Sequence, residues 1–214
     1  MIEHVYRRAA DARGIDAVVV ATDDERIVAA VERFGGVARM TARSHRTGTD
    51  RIAELAPTLD CDIVVNVQGD LPLIDPGTIE DVVAPLAADP ALQMSTIRKA
   101  ISDSSECTNP NVVKVVADCH GNALYFSRSP LPFVRGSGTA YKHIGLYAYR
   151  RTFVQTFAAL PQTPLEIAES LEQLRALEHG YQIRTVETAL ESIEIDTPED
   201  LERVRRLMAV GTRA

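Results

Sequence analysis

Two acidic residues, Asp70 and Asp196, each follow an apolar run and precede a turn or a helix start. Carboxylates delivered by strand ends to one edge of a sheet make an oxygen-rich site of the kind that holds Mg²⁺ beside a phosphate-bearing substrate. Asp70 ends the stretch Cys61-Asp62-Ile63-Val64-Val65-Asn66-Val67-Gln68-Gly69-Asp70-Leu71-Pro72, a β-branched run broken only by Asn66 and punctuated by Gly69 and Pro72. That pattern predicts a buried strand with Asp70 at its carboxyl edge. Asp196 ends Ile193-Glu194-Ile195-Asp196, directly before Thr197-Pro198-Glu199-Asp200. Thr197 reads as an N-cap with Pro198 at the first helical position. Spacing alone leaves a plainer option open, in which Asp70 is a turn residue and Asp196 a solvated acid beside a cap. No Ser/His/Asp or Cys/His constellation for covalent catalysis is visible.

The elements that must position these acids alternate in kind. Ile2, Val5, Tyr6, Ala9 and Ala10 recur at helical spacing, Gly14 stops them, and Ala17 to Ala21 reads as a strand. Thr22-Asp23-Asp24 caps a helix over 25–34, Val37 to Met40 is a short strand, and a polar loop over 41–50 leads to a helix through Ile52 and Leu55. Further on, Pro76 to Ala88 reads as a helix and Met94 to Arg98 as a strand. Such alternation implies an α/β fold with a mostly parallel sheet. From about 105 to 165 the pattern changes: 112–117, 123–127 and 143–149 read as strands separated by glycine-containing turns, an inserted mixed or antiparallel region. Pro164 opens one predicted helix with Ile167, Leu171, Leu174 and Leu177 on a single face, closed by Gly180. A strand over 183–186 follows. The whole of 1–214 reads as one domain carrying that insertion.

Composition narrows the function classes. The net charge is −7 with both signs scattered, which argues against a nucleic-acid surface. No apolar run is long enough to span a bilayer, so no membrane partner is expected. Cys61, Cys107 and Cys119 are an odd set without CxxC spacing, which suits a cytoplasmic protein better than a disulfide framework or a zinc site.

Several blocks together carry a resemblance. Asn66-Val67-Gln68-Gly69-Asp70-Leu71-Pro72, Asn109-Pro110-Asn111-Val112-Val113-Lys114-Val115-Val116, Leu124-Tyr125-Phe126-Ser127-Arg128, His143-Ile144-Gly145-Leu146-Tyr147-Ala148-Tyr149, Leu171-Glu172-Gln173-Leu174-Arg175 and Asp196-Thr197-Pro198-Glu199-Asp200-Leu201 occur in this order along the chain. The set resembles the 3-deoxy-manno-octulosonate cytidylyltransferase (CMP-Kdo synthetase) family over essentially the whole length. The resemblance implies a nucleotide-diphospho-sugar transferase-like, Rossmann-like fold. The implied activity is transfer of a cytidylyl group from CTP to the acidic sugar Kdo, releasing pyrophosphate and supplying lipopolysaccharide assembly. It implies Asp70 and Asp196 as ligands of Mg²⁺, and a homodimer formed through the insertion. Tyr125, Phe126, Leu131, Phe133, Ile144, Tyr147 and Tyr149 are candidates for that interface or for a local core.

The loop over 42–51 resembles the family's cytosine-reading loop, with Ser44, His45, Thr47, Gly48, Thr49 and Arg51 as base-binding candidates. Gly48 lets backbone approach the base, and the hydroxyls and guanidinium can donate to its acceptor edge. Read without the resemblance, Thr49 or Asp50 is only the cap of the next helix. An acidic sugar calls for a fixed cation and several polar groups, and Gln68, Arg128, His143, Glu169 and Gln173 are the candidates. On a continuous helix Glu169 and Gln173 share one face. The plainer option makes Arg128 half of an ion pair and His143 a satisfied core imidazole.

Members of that family open on a strand and a basic, glycine-containing loop, of the type Ile-Pro-Ala-Arg followed by Pro-Gly-Lys, that holds the triphosphate. This sequence opens on a helix, so its first strand is expected to be absent and its activity as written weak or missing. Either the natural start lies upstream of Met1 in an ordinary synthetase, or the chain is a shortened paralogue. The alternatives are a cytidylyltransferase for another acidic sugar, such as 8-amino-Kdo or a sialic acid, and a non-catalytic sugar-binding or dimerisation paralogue.

Overall fold

The computed structural model describes residues 1–195 and 197–211. Helix α1 (Ile2–Ala10) leads into β1 (Val20–Thr22), and α2 (Glu25–Arg33) starts where the Asp24 carboxylate accepts from the Arg26 N–H at 2.8 Å. It stops at Gly35, whose φ of 81° is a backbone conformation that glycine adopts without strain. β2 (Ala38–Met40) pairs with β1 in parallel, and α3 (Gly48–Leu55) follows. β3 (Ile63–Asn66) ends where the glycine and proline predicted it, and α4 (Pro76–Ala88) begins on an Asp75 cap. β4 (Met94–Ala100), α5 (Ser104–Thr108), β5 (Lys114–Ala117), β6 (Ala123–Ser127) and β7 (Tyr141–Arg150) come next. The chain then runs through α6 (Arg151–Ala159), α7 (Pro164–Glu169), α8 (Gln173–Glu178), β8 (Ile183–Glu187) and α9 (Pro198–Gly211). As expected, Thr197 caps α9: its hydroxyl accepts from the Asp200 N–H at 3.2 Å while the Asp200 carboxylate accepts from the Thr197 N–H at 3.0 Å.

The sheet is mixed. Among the described residues β1 and β2 form a parallel pair of their own, and six strands form a second sheet ordered β6-β5-β7-β4-β8, with β3 also on β7. β4 and β8 run parallel, and β7 is antiparallel to β3, β4 and β5. The inserted segment thus supplies the central strand of the larger sheet and not only an appendage. Side chains alternate along β7. Leu146 and Ala148 join Leu71, Ile74, Ile79 and Leu86 in one apolar cluster, while Tyr149 joins Phe126, Phe153, Phe157 and Leu174 in the other. Phe126, Ile144 and Tyr149 are therefore core, whereas Phe133 is 86 % exposed.

Three elements depart from expectation, the short and unpredicted α5 among them. α6 follows β7 directly and was not predicted, because Arg150 at its N-cap offers no side-chain bond as a start signal. The single helix expected from Pro164 to Gly180 is two: Ser170 adopts a left-handed φ of 53° and ends α7. Glu169 and Gln173 accordingly do not share a helix face, and Ile167, expected on the apolar face, is 63 % exposed.

Lys114 shows how tightly the insertion is tied. Its fully buried side chain donates to the carbonyls of Asn109, Val112 and Arg128 at 2.9, 2.6 and 2.6 Å, and burial lowers its pKa. Lys114→Met strands three carbonyls and is expected to destabilise the fold by about 2–3 kcal/mol. Urea unfolding read as a fall in midpoint at unchanged slope checks this.

Candidate active site

Because β3 and β4 both oppose β7, and β8 runs with β4, the carboxyl ends of β3, β4 and β8 meet at one edge beside the first half of β7. That edge is where an open α/β sheet binds ligands. Asp70 lies there, and its carbonyl accepts from the Ile195 N–H at 3.1 Å. The segment after β8 is thereby fastened to the end of the β3 segment. Asp196, the other predicted metal ligand, lies outside the described residues. Among the described residues no three His, Cys, Asp or Glu side chains cluster as a metal site.

Beside this edge is a cavity of about 320 Å³ whose lining includes Asn111, Lys142, His143, Tyr147, Gln173 and Glu194. His143 and Gln173, both read from the sequence as sugar contacts, thus share one cavity. Burial pushes the His143 pKa down to about 3, so the imidazole is neutral. Among the described residues the buried Gln173 amide nitrogen has no hydrogen-bond partner, leaving a donor to be satisfied. Lys142 is neutralised by Glu106 at 2.7 Å and Glu191 at 3.1 Å.

Arg128 and Glu169, predicted for the same site, are not in that lining. The Glu169 carboxylate accepts from the Arg128 N–H at 2.9 Å and the Ser127 hydroxyl at 2.6 Å, and the Arg128 guanidinium donates to the Glu169 carbonyl at 2.8 Å and the Pro110 carbonyl at 3.0 Å. Burial raises the Glu169 pKa, but those hydrogen bonds outweigh it and leave the pKa below the ordinary value. The pair braces the loop at Pro110 against the end of α7.

The candidate base-reading loop is rigidly prepared. Arg51 donates to the Thr41 hydroxyl at 3.0 Å, the Ala42 carbonyl at 3.1 Å and the Asp23 carboxylate at 2.9 Å. His45 bonds to Glu54, which also accepts from the Ala42 N–H at 3.0 Å. Thr47 caps α3 in a capping box with Asp50. Ser44 and Gly48 are exposed, and the Gln68 side chain lies against Gly48, its oxygen 3.7 Å from where a Cβ would stand. Gln68 thus bridges the end of β3 to this loop.

A residue that the sequence reading passed over ties the two halves together. Glu172 accepts from the Thr47 hydroxyl at 3.0 Å and the Thr49 hydroxyl at 2.6 Å, and is followed by Gln173 in the cavity wall. Burial raises its pKa despite those bonds. An acid between Leu171 and Leu174 in an apolar pattern is the signal that could have found it. The Thr47 and Thr49 hydroxyls are spent on Glu172, so what they offer a ligand is a fixed loop shape.

Known proteins resemble this chain in sequence and fold. The cytidylyltransferase family model matches residues 1–193. Proteins named 3-deoxy-manno-octulosonate cytidylyltransferase from Pelobacter propionicus and Geobacter sulfurreducens are 56% and 55% identical to the chain. The alignments cover 100% and 95% of it and 89% and 87% of those proteins. A solved structure of CMP:2-keto-3-deoxy-manno-octonic acid synthetase complexed with CTP superposes with a TM-score of 0.94 at 46% identity, over 98% of this chain and 88% of that one. The 4-diphosphocytidyl-2C-methyl-D-erythritol synthase of Anaerococcus prevotii, 15% identical with a TM-score of 0.62 over 97% of this chain and 89% of that one, shares the fold alone. With a family model over residues 1–193 and relatives more than half identical over at least 95% of its length, the chain belongs to the 3-deoxy-manno-octulosonate cytidylyltransferase family.

Proposed function

We propose that this protein transfers the cytidylyl group of CTP to the anomeric hydroxyl of Kdo, giving CMP-Kdo and pyrophosphate for lipopolysaccharide assembly in the cytoplasm. The observation that carries the reading is the match, at 46% identity and a TM-score of 0.94, to a CMP-Kdo synthetase structure complexed with CTP. Names shared by relatives more than half identical do not favour another acidic sugar or a non-catalytic paralogue. Residues 1–214 act as one domain. Exposed Leu124, Phe133 and Val134, on or beyond β6, support pairing of two copies through the insertion.

Asp70 and Asp196 are the proposed Mg²⁺ ligands, and their chemistry fits: both offer hard carboxylate oxygens, and Ile195, the residue before Asp196, is hydrogen-bonded to the Asp70 carbonyl. When bound, the ion would offset charge developing on the phosphoryl oxygens and the leaving pyrophosphate. The protein's own groups orient the reactants. The loop from Ser44 to Arg51 holds the cytosine, with Gly48 allowing close approach. In the cavity, neutral His143 accepts from a sugar hydroxyl, the Gln173 amide donates to another oxygen, and Gln68 spans the sugar and nucleotide sides. The anomeric hydroxyl oxygen then bonds to the α-phosphorus as the bond to pyrophosphate breaks, its proton passing to solvent.

Glu172→Ala removes the acceptor for Thr47 and Thr49. It is expected to raise the KM for CTP about 10-fold with a smaller change for Kdo, read by steady-state kinetics. The function itself is tested by pyrophosphate release from CTP with Kdo, 8-amino-Kdo and N-acetylneuraminate in parallel. Release with Kdo is the expected result, and release with N-acetylneuraminate alone would contradict it.

A further inference from the structure

Between Thr96 and Ile97 the pairing of β4 with β7 slips: Thr96 faces Tyr147 while Ile97 faces Ile144, so Gly145 and Leu146 have no counterpart in β4. Irregularities of this kind leave ladder groups to find other partners and re-aim the side chains beside them. Leu146 is fully buried, so its carbonyl requires a donor. The equally buried Thr96 hydroxyl lies 2.8 Å from that carbonyl and 2.9 Å from His143 Nε2. A hydroxyl carries one hydrogen and a carbonyl can only accept. The Thr96 hydrogen is therefore committed to the Leu146 carbonyl, the other carbonyl within reach being that of Ile144 at 3.4 Å. Nε2 must then bring its own hydrogen to the Thr96 oxygen. Burial keeps the ring neutral, and a neutral ring protonated on Nε2 has a bare Nδ1.

We propose that Thr96 is a positioning residue: it fixes His143 as the Nε2–H tautomer, so that Nδ1 meets the cavity as an acceptor selective for a hydroxyl of the bound sugar acid. The inference rests on reading the cavity as the sugar site. The ring plane is held from two sides, edge-on to Phe126 at 5.0 Å between centroids and tilted against Tyr147 at 5.3 Å. A ligand hydroxyl at Nδ1 finds a lone pair, whereas a ligand carboxylate there meets one lone pair with another. The opposite tautomer would reverse that preference.

Nitrogen-15 NMR of the labelled full chain reads the tautomer without ligand, with the His143 signals assigned by their loss in His143→Gln. The wild-type protein is expected to show a protonated Nε2 and an unprotonated Nδ1. Thr96→Val should mix the two tautomers and raise the KM for Kdo about 10-fold with the KM for CTP unchanged, while Thr96→Ser keeps the wild-type pattern and a KM within about 2-fold. A protonated Nδ1 in the wild-type protein overturns the proposal, as does a Thr96→Val variant with wild-type His143 signals or a wild-type KM for Kdo. Because the spectrum needs no turnover, absence of reaction with Kdo, which contradicts the proposed function, is distinguishable from a wrong tautomer, which contradicts this inference.

Discussion

Asp70→Asn is expected to lower CMP-Kdo formation at least about 10³-fold while leaving the fold intact. Asn keeps the size of the side chain, and the hydrogen bond from Ile195 runs to the backbone carbonyl of residue 70, which the substitution does not touch. What disappears is one negative charge and one strong oxygen donor at the carboxyl edge of the sheet. If that charge serves to hold a divalent cation against the phosphates, the loss appears in turnover, and the dependence on Mg²⁺ shifts to higher concentration. Thermal unfolding of the variant should stay within about 2 °C of the unsubstituted protein, since Asn matches Asp in size and shape. A variant with near-normal turnover would make Asp70 a turn residue, the plainer option its sequence context allows.

The second large effect is on stability. Arg175 and Glu166 form a buried pair, each side chain 6 % exposed, with Arg175 Nε donating to the Glu166 carboxylate at 2.8 Å. The guanidinium also lies 5.3 Å from the Phe157 ring centroid, inside the larger aromatic cluster. Burial alone would raise the Glu166 pKa, but the Arg175 hydrogen bond and charge overcome it and hold the carboxyl below its ordinary value. A depressed carboxylate contributes stability that is fully present above the unfolded-state pKa and is lost as pH falls through the lower folded value. Arg175→Leu leaves Glu166 buried and unpaired, and is expected to cost about 3–5 kcal/mol at neutral pH. In a chain of this size that is a fall of roughly 6–20 °C in Tm. The deficit should shrink in acid, where Glu166 is protonated in both proteins. Calorimetry across pH 3 to 7 checks both the size and the sign.

Local signals were enough for the parts of the fold where one segment decides its own structure. The apolar run ending at Gly69 located β3, and Thr197 with Pro198 located the start of α9, because strand ends and helix caps are written in neighbouring residues. The break at Ser170 was not legible, since Ile167, Leu171 and Leu174 keep a helical spacing across a residue that turns left-handed. The same limit governed the site. Asp70, His143 and Gln173 were readable as chemistry, and the last two share a cavity. Arg128 and Glu169 carried the right charges for an acidic sugar, yet each is bonded to the other, a pairing visible only once β6 meets the end of α7. Thr96 had no local mark as a site residue, and Glu172 only that of an acid set in an apolar pattern. Their roles come from contacts with His143 and with Thr47 and Thr49, brought close by the sheet and not by sequence neighbourhood.

Formation of CMP-Kdo is a specific reaction that one assay reads. Purified protein is incubated with CTP, Kdo and Mg²⁺, and CMP-Kdo is quantified by mass spectrometry beside pyrophosphate. Both products are expected in equal amounts, dependent on Kdo and abolished by Asp70→Asn, and the rate also decides whether residues 1–214 turn over strongly or weakly. Pyrophosphate released without Kdo, or Kdo and CTP left unchanged while the folded protein is present, would contradict the proposed reaction.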